Sequence, residues 1–391
     1  MKRITIGISF VLSVLCMSCI ATHYSQLSRT QVSLLTVAPG KKFYSVFGHS
    51  AIRISIDSLN YDMVYNFGMY TPSSDLYFNW LRGRMLFHMS IESYSKFLAN
   101  CENEKRSVRE QVLDMDSVQT MFIINSLEKK YYSDKRYYWY HIFHDNCATR
   151  IRELILQTYD SITFPQSQGT LTYRDLLHPY LKEYPWGRFI IDIASGLPFD
   201  QKTGIYEQMF LPDNVSDVFA SALSHRQPIV KETKNVFVPG KSSITPSLPI
   251  TPIFVCCFIL AVALLFSYIR KGSKVFDFVF FFTVGMVGML IIYLWFFSDH
   301  TTAANNLNII WALPTHMVMA FSLLSNRNNN FTCKYFLVTT IVAVFLIISW
   351  IFLPQQLNPA LIPLVVAIAL RGWRIYSNGR CTNLAEVVNK I

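Results

Sequence analysis

The chain has little charge for its length. Only 15% of its 391 residues are Asp, Glu, Lys or Arg, whereas soluble domains carry about 25%, so a wholly soluble protein is excluded. Glycine and proline are also scarce, with 15 and 16 residues, which excludes collagen-like and linker-like chains. Aromatic residues make up 15% of the chain, and this is enough to build a core, so disorder is excluded too.

Acidic residues are nearly missing from the second part of the chain. Residues 246–391 contain three acidic and nine basic residues, whereas residues 1–245 contain 22 acidic and 26 basic residues. This contrast predicts a polar first part joined to a membrane-embedded second part. The net charge of +10 therefore does not indicate a nucleic-acid partner, and no Lys/Arg run is interleaved with aromatic residues as such a partner would require.

Five apolar stretches in the second part are candidate membrane-spanning helices; the first four have about the length of a span, whereas the fifth is short and carries Pro359 and Pro363. They cover residues 253–269, 278–297, 307–324, 335–353 and 357–370. The segments that follow the first, third and fifth stretch contain all nine basic residues. The positive-inside rule therefore places residue 245 outside the cytoplasm and the C-terminus inside. A passive anchor needs only one span, so five spans favour a task that involves lipid.

The N-terminus is typical of an export signal, because Lys2 and Arg3 precede an apolar run. Cleavage near Ala21, retention as an anchor, and lipidation of Cys19 all stay open, and each places the following domain outside the cytoplasm. The predicted organisation is a signal peptide or anchor (1–24), an extracytoplasmic catalytic domain (25–237), a Pro/Ser linker (238–252), a membrane bundle (253–376) and a cytoplasmic tail (377–391).

One stretch of the first domain carries a candidate nucleophile. Asp145 or Asn146 is a good helix N-cap, and an apolar helical face follows, so the pattern predicts a helix over 147–159. Cys147 then lies in the first helical turn, where the positive end of the helix dipole favours the thiolate. Arg150, one turn further on, adds to this effect.

A thiolate nucleophile needs a base, and the base needs a group that orients it. His49 lies at the start of a predicted strand, 50–56, and Asn66 lies on the next predicted strand, 63–67. If the two strands pair as a hairpin, Asn66 can lie beside His49. Asp62 is the less favoured candidate for this third role.

Other interpretations of Cys147 stay open at this point. The thiol could form a disulfide with Cys101 in an oxidising compartment, or it could be an inert buried thiol. His141, His144 and Cys147 also follow an H-x-x-H-x-x-C pattern that could ligate zinc. A helix that begins at Cys147 would break the shared helical face that this zinc site needs.

Four short motifs and one loop together resemble the Lnb family, the lipoprotein N-acyltransferases of the Bacteroidota type. They lie at 47–53 (FGHSAIR), 65–68 (YNFG), 145–150 (DNCATR), 210–213 (FLPD) and 299–314. The resemblance implies an α+β chain with a circularly permuted papain-like (NlpC-like) periplasmic domain. An all-α transmembrane bundle of about five helices would follow and hold the protein in the bacterial inner membrane.

The resemblance also implies roles for individual residues. Cys147 would be the nucleophile, His49 the base and Asn66 the third member. Supporting or substrate-binding roles would fall to Tyr44, Arg53, Asp145, Asn146, Arg150, His300 and Asn306. Tyr44 would help line an oxyanion site, and His300 and Asn306 would lie near the substrate headgroup or amine.

The reaction implied is a transfer of a fatty acyl chain through a Cys147 thioester. The donor would be a membrane phospholipid, and the acceptor would be the α-amine of a diacylglyceryl-cysteine lipoprotein. No cofactor and no metal would be needed. Two alternatives stay open: a membrane-bound cysteine phospholipase, amidase or cell-wall peptidase of NlpC-like fold, and a non-enzymatic membrane-anchored binding module.

Overall fold

A computed structural model describes residues 30–71, 74–165, 170–240, 250–269, 272–324 and 330–388. The predicted signal segment and most of the predicted linker lie outside these residues. Contacts divide the chain into two compact units. We call them the sheet unit (to Leu76, 84–170 and 203–243) and the helical unit (77–83, 171–202 and 244 onwards). The domain boundaries predicted from the sequence stay a prediction.

The sheet unit is built on a seven-stranded antiparallel sheet and a separate two-stranded one. Its strands are β1 (Thr30–Val37), β2 (His49–Ile56), β3 (Tyr61–Tyr70), β4 (Leu86–Ser93), β5 (Val108–Leu113), β6 (Tyr137–Trp139), β7 (Leu223–Ser224), β8 (Gln227–Pro228) and β9 (Val230–Phe237). The large sheet has the order β6-β4-β3-β2-β1-β5-β9. The two strands predicted from the sequence, at 50–56 and 63–67, are confirmed as β2 and β3.

Helices cover both faces of this sheet. The helices of the first part of the chain are α1 (Leu76–Arg82), α2 (Tyr94–Asn103), α3 (Ser117–Tyr131), α4 (Cys147–Thr158), α5 (Tyr173–Leu177), α6 (Pro185–Ala194), α7 (Ile205–Gln208) and α8 (Pro212–Ser221). Successive strand residues point to opposite faces. Leu34 and Ile52 therefore pack in one apolar cluster with α4, whereas Leu35 and Ala51 pack in another with Phe97 of α2.

The helical unit contains the apolar stretches. Its later helices are α9 (Pro252–Tyr268), α10 (Ser273–Phe296), α11 (Thr315–Ser322), α12 (Asn330–Ser349) and α13 (Ile362–Val388). Three segments of the described chain are long and apolar enough to cross a membrane, namely Ser273–Phe296, Asn330–Phe352 and Pro359–Asn378. Two further apolar segments, Pro252–Tyr268 and Leu307–Ser322, are helical but shorter. All five predicted apolar stretches thus contain helix, but the expected lengths were wrong: the first and third form the shorter helices, and the fifth belongs to a long one. An α+β domain followed by a helical one is confirmed.

A buried ionic cluster holds the part of the helical unit that precedes the membrane helices. Arg174 is 1% exposed and donates to Asp192 at 2.6 Å and, through two nitrogens, to Asp200 at 2.9 Å. His178 and Asn358 contact the two oxygens of Asp192 at 3.0 and 2.9 Å. Because each buried charge has partners, the cost of removing it from water is offset.

We expect Arg174→Met to destabilise the protein by about 3–5 kcal/mol, because it leaves two buried carboxylates without their main cation. The measurement is thermal unfolding of the full chain in detergent. Arg188→Met is the matched control, because Arg188 contacts the same Asp192 at 3.6 Å but its side chain is 39% exposed. This control should lose at most about 1 kcal/mol. Equal losses in both variants would contradict the assigned importance of Arg174.

Candidate active site

The start of α4 is fixed by a reciprocal cap. The Oδ1 atom of Asn146 accepts from the Thr149 N–H at 2.9 Å, and the Thr149 hydroxyl accepts from the Asn146 N–H at 2.8 Å. The amide nitrogen of Asn146 also donates to the Phe210 carbonyl at 3.0 Å. Cys147 is therefore the first residue of the helix, as the capping pattern predicted. At this position its own N–H has no acceptor within the helix.

A chain of hydrogen bonds starts at His49, the first residue of β2. The Nε2 atom of His49 donates to Oδ1 of Asn66 at 3.0 Å, and Nδ2 of Asn66 donates to Glu92 at 3.0 Å. The hairpin that the sequence predicted brings this about, since Ala51 of β2 pairs with Asn66 of β3. Asn66 is 2% exposed, so these two bonds fix its orientation and that of the imidazole.

The alternative third residue, Asp62, is engaged elsewhere. Arg53 donates to both of its carboxylate oxygens, at 2.8 and 2.9 Å. Arg53 also donates to Glu110 at 2.9 Å, and its guanidinium lies 3.6 Å from the ring centroid of Tyr94. The geometry thus places Asn66, and not Asp62, against His49, and it places Arg53 in an ion-pair cluster.

The Cys147 thiol and the His49 imidazole form a hydrogen-bonded pair in which each residue favours the charged form of the other. Burial alone would raise the pKa of Cys147, but the charge of His49 and its hydrogen bond lower that pKa below the ordinary thiol value. The backbone N–H groups of Ser50 and Ala148 donate to the sulfur and lower it further. Burial likewise opposes the charge on His49, but the Cys147 thiolate outweighs it and raises the pKa of His49. The pair therefore favours the thiolate–imidazolium form.

The thiol of Cys101 shows what burial does without such a partner. Cys101 is 6% exposed, and burial raises its pKa to about 11, so it stays protonated at neutral pH. Cys101 and Cys147 are both free thiols, so the structure does not join them as a disulfide. The contrast between the two shows that the environment of Cys147, and not burial as such, lowers the pKa of its thiol.

The described residues do not support a zinc site at Cys147. Nδ1 of His141 accepts from the backbone N–H groups of Phe143 and His144, both at 3.2 Å. Among the residues that the structure describes, no three His, Cys, Asp or Glu side chains are grouped so that they could hold a metal ion.

Gly68 in β3 lies directly against Cys147. Its φ of +83 degrees is in the left-handed region that favours glycine, and the pairing of β3 with β4 is irregular between Asn66 and Met69. A Cβ atom at this position would lie 3.4 Å from the Cβ of Cys147 and 3.8 Å from the Tyr138 hydroxyl. Glycine thus keeps a small space open beside the sulfur.

The structure also places the supporting residues predicted from the sequence. Asp145 and Arg150 form a two-pronged ion pair beside the start of α4, with one contact at 2.8 Å. Tyr44 is 75% exposed, and its hydroxyl donates to Glu104 at 3.3 Å. The oxyanion role inferred for Tyr44 stays a prediction.

His300 and Asn306 belong to the helical unit. Nε2 of His300 donates to the Trp80 carbonyl at 2.7 Å. Asn306 is 1% exposed, donates to the Ile193 carbonyl at 2.8 Å, and accepts from Gln355 at 3.2 Å. The Asn306 side chain therefore links the Ile193 carbonyl to Gln355 within the helical unit. The substrate-binding roles of His300 and Asn306 stay predictions.

Sequence reasoning missed Glu92, Gly68 as a site residue, and Tyr138. Glu92 lies on β4, which the alternation of Phe87, Met89 and Ile91 with polar residues could have indicated, and Tyr138 lies on the three-residue strand β6. Gly68 was visible only as the last letter of the YNFG motif. Glu92 lies two residues after Ser90, which pairs with Asn66. Its contact with Asn66 could therefore be predicted only from the β3–β4 register.

We expect the alkylation rate of Cys147 by iodoacetamide to report the lowered pKa. In the wild-type protein the rate should stay high as the pH falls below the ordinary thiol value of about 8.5, because the thiolate persists there. In His49→Ala, burial without the imidazolium should move the inflection above that value. Labelling is followed at the Cys147 peptide by mass spectrometry, with Cys101→Ser as the control that leaves the profile unchanged. Superimposable profiles for wild type and His49→Ala would refute the ion pair.

Comparison with known families agrees with these observations. The sequence model of the Lnb N-terminal periplasmic domain matches residues 19–179, and that of the Lnb transmembrane domain matches residues 243–379. No curated protein and no solved structure matches significantly. The two matches together cover most of the chain, in the order in which the family arranges its domains, and they confirm the resemblance seen in the short motifs. The chain is therefore a membrane protein of the Lnb family, with an N-terminal periplasmic domain and a C-terminal transmembrane domain.

Proposed function

We propose that this protein is a thiol-dependent lipoprotein N-acyltransferase. It moves a fatty acyl chain from a membrane phospholipid, through a thioester on Cys147, to the α-amine of the diacylglyceryl-cysteine of a lipoprotein. The observation that carries this proposal is the Cys147–His49–Asn66–Glu92 chain within a unit that matches the Lnb periplasmic domain.

The first half-reaction forms the acyl-enzyme. The Cys147 sulfur attacks the ester carbonyl carbon of the phospholipid, and the carbonyl electron pair moves onto oxygen. When the tetrahedral intermediate collapses, the carbon–oxygen bond of the ester breaks. The imidazolium of His49 gives its proton to the departing alkoxide, so that a lysophospholipid leaves. With Nε2 of His49 held by Asn66, the proton leaves from Nδ1.

The second half-reaction transfers the acyl chain. The lipoprotein amine attacks the thioester carbonyl, and the neutral imidazole of His49 takes a proton from the attacking nitrogen. Collapse of the second intermediate breaks the carbon–sulfur bond, forms the amide and restores the thiolate–imidazolium pair. The reaction needs no other reactant, since the energy of the ester bond drives amide formation.

The membrane segments suit these two substrates. Both the phospholipid and the diacylated lipoprotein carry acyl chains that stay in the bilayer, so the enzyme must work at the membrane surface. An inner-membrane location with the sheet unit in the periplasm and the C-terminus in the cytoplasm meets this need, and the distribution of basic residues supports it. The His-bearing strand precedes the Cys-bearing helix, and this order supports a circularly permuted papain-like fold for the sheet unit.

We expect the purified protein to gain the mass of one fatty acyl group when it is incubated in detergent with phospholipid and no acceptor, because the thioester then has no amine to react with. Intact mass spectrometry measures this adduct, and hydroxylamine should remove it. Cys147→Ser should show no adduct, whereas Cys101→Ser should show it undiminished. A folded wild-type protein that forms no adduct and releases no fatty acid would overturn the proposal in favour of a binding module.

Addition of a diacylglyceryl lipopeptide then identifies the acceptor. Loss of the adduct together with the appearance of an N-acylated lipopeptide supports the transferase. Release of free fatty acid at an unchanged rate, with no acylated lipopeptide, would show a phospholipase that uses water instead. Cleavage of a cell-wall peptide without acylation of either substrate would show the peptidase.

A further inference from the structure

The hydroxyl of Tyr138 is buried and has no hydrogen-bond partner among the described residues. Tyr138 is 6% exposed and lies on β6, where it pairs with Phe87 of β4. A buried hydroxyl without a partner costs free energy, and a tyrosine that only fills the core gains nothing from it over phenylalanine. The Tyr138 hydroxyl is therefore available to donate a hydrogen bond to a group that enters the site during the reaction.

The space that this hydroxyl faces lies beside the nucleophile. The position of a Cβ on Gly68 marks this space, and the three atoms nearest to it, apart from those of Gly68 and its two chain neighbours, lie within 4 Å. They are the Cβ of Cys147 at 3.4 Å, the Tyr138 hydroxyl at 3.8 Å and the backbone nitrogen of Cys147 at 3.9 Å. Two donors and the carbon that carries the nucleophilic sulfur thus converge on one small volume, which glycine at position 68 leaves empty.

We propose that the Tyr138 hydroxyl and the Cys147 N–H together bind the oxyanion of the tetrahedral intermediates, so that Tyr138 is a catalytic residue. This proposal rests on the acyl transfer at Cys147 proposed above. In each half-reaction the carbonyl electron pair moves onto oxygen, and that oxygen then accepts both hydrogen bonds. When the intermediate collapses, the pair returns to the carbonyl and the Tyr138 proton stays on its own oxygen throughout.

Two features keep Tyr138 ready for this role. Burial raises the pKa of its phenol, and the nearby Cys147 thiolate raises it further, so the group stays a protonated donor while the sulfur is ionised. The Arg150 guanidinium lies 3.5 Å from the centroid of the Tyr138 ring and donates to the Asp145 carboxylate at 2.8 Å. Arg150 is thus a positioning residue that fixes the ring by a cation–π contact.

The test uses the full chain in detergent and compares wild type with Tyr138→Phe, which removes one oxygen atom. Acylation of Cys147 is measured as the burst of nitrophenolate from p-nitrophenyl butyrate, because this step passes through an oxyanion. Alkylation by iodoacetamide is measured in parallel, because this displacement consumes the same thiolate but forms no oxyanion. We expect the acylation rate constant to fall about 100-fold and the alkylation rate and its pH profile to stay unchanged.

Tyr137→Phe is the matched control, since Tyr137 is the neighbouring residue on β6 and is 52% exposed. Both of its rates should equal those of wild type. An acylation rate in Tyr138→Phe equal to wild type would overturn the proposal, and so would a parallel fall in alkylation, which would mean that the hydroxyl only supports the thiolate. Tyr138→Phe should melt no lower than wild type, because no internal hydrogen bond is lost.

The outcome separates this proposal from the proposed function. If the wild-type protein takes no acyl chain from phospholipid but Tyr138→Phe still slows the ester burst selectively, the oxyanion role stands and the lipid substrate is wrong. If phospholipid acylates Cys147 and Tyr138→Phe does so equally fast, the oxyanion role is wrong and the proposed function stands. A wild-type protein without any burst at Cys147 would overturn both.

Discussion

The electrostatic coupling between Cys147 and His49 is the interaction on which the geometry of the candidate active site depends. Both residues are half-buried, and their charged forms attract each other, whereas either charge is costly if the other moves away. The two residues come from the start of a helix and the start of a strand, so both starts must be fixed. The Asn146–Thr149 cap fixes the first, and the Asn66–Glu92 chain fixes the second. These hydrogen bonds hold the side chains of Cys147 and His49 in the positions that their coupling requires.

The same constraint shapes the helical unit, where buried charges also have partners. Arg371 in α13 is 1% exposed and donates to both carboxylate oxygens of Asp277 in α10, at 2.6 and 2.7 Å. The Arg174 cluster solves the same problem with two carboxylates, a histidine and an amide. The Tyr138 hydroxyl, which has no hydrogen-bond partner among the described residues, differs from these charges, and in the proposed reaction it lies where a new acceptor forms.

Local pattern was enough to predict several elements and to single out Cys147 as the candidate nucleophile. Alternation predicted the strand at 50–56, because one-sided burial imposes a period of two on strand residues. The helix that begins at Cys147 was predictable because a capping residue and the apolar face after it act within one turn. The membrane stretches followed from length and composition alone. Strand β4 was missed although it carries the same signal: Phe87, Met89 and Ile91 alternate with polar residues, and all three pack in the core cluster of the sheet unit.

The sequence by itself therefore determined which groups could react and roughly which elements carry them. It named Cys147, His49 and Asn66, because a thiol at a helix start and an imidazole at a strand start are local features. Only the tertiary structure decided how these groups are assembled. The β2–β3 register selected Asn66 over Asp62, the β3–β4 pairing brought in Glu92, and the fold set the Tyr138 hydroxyl beside Gly68. The physical reason is that hydrogen bonds and charge coupling depend on distances between segments far apart in the chain, and no local pattern encodes those distances.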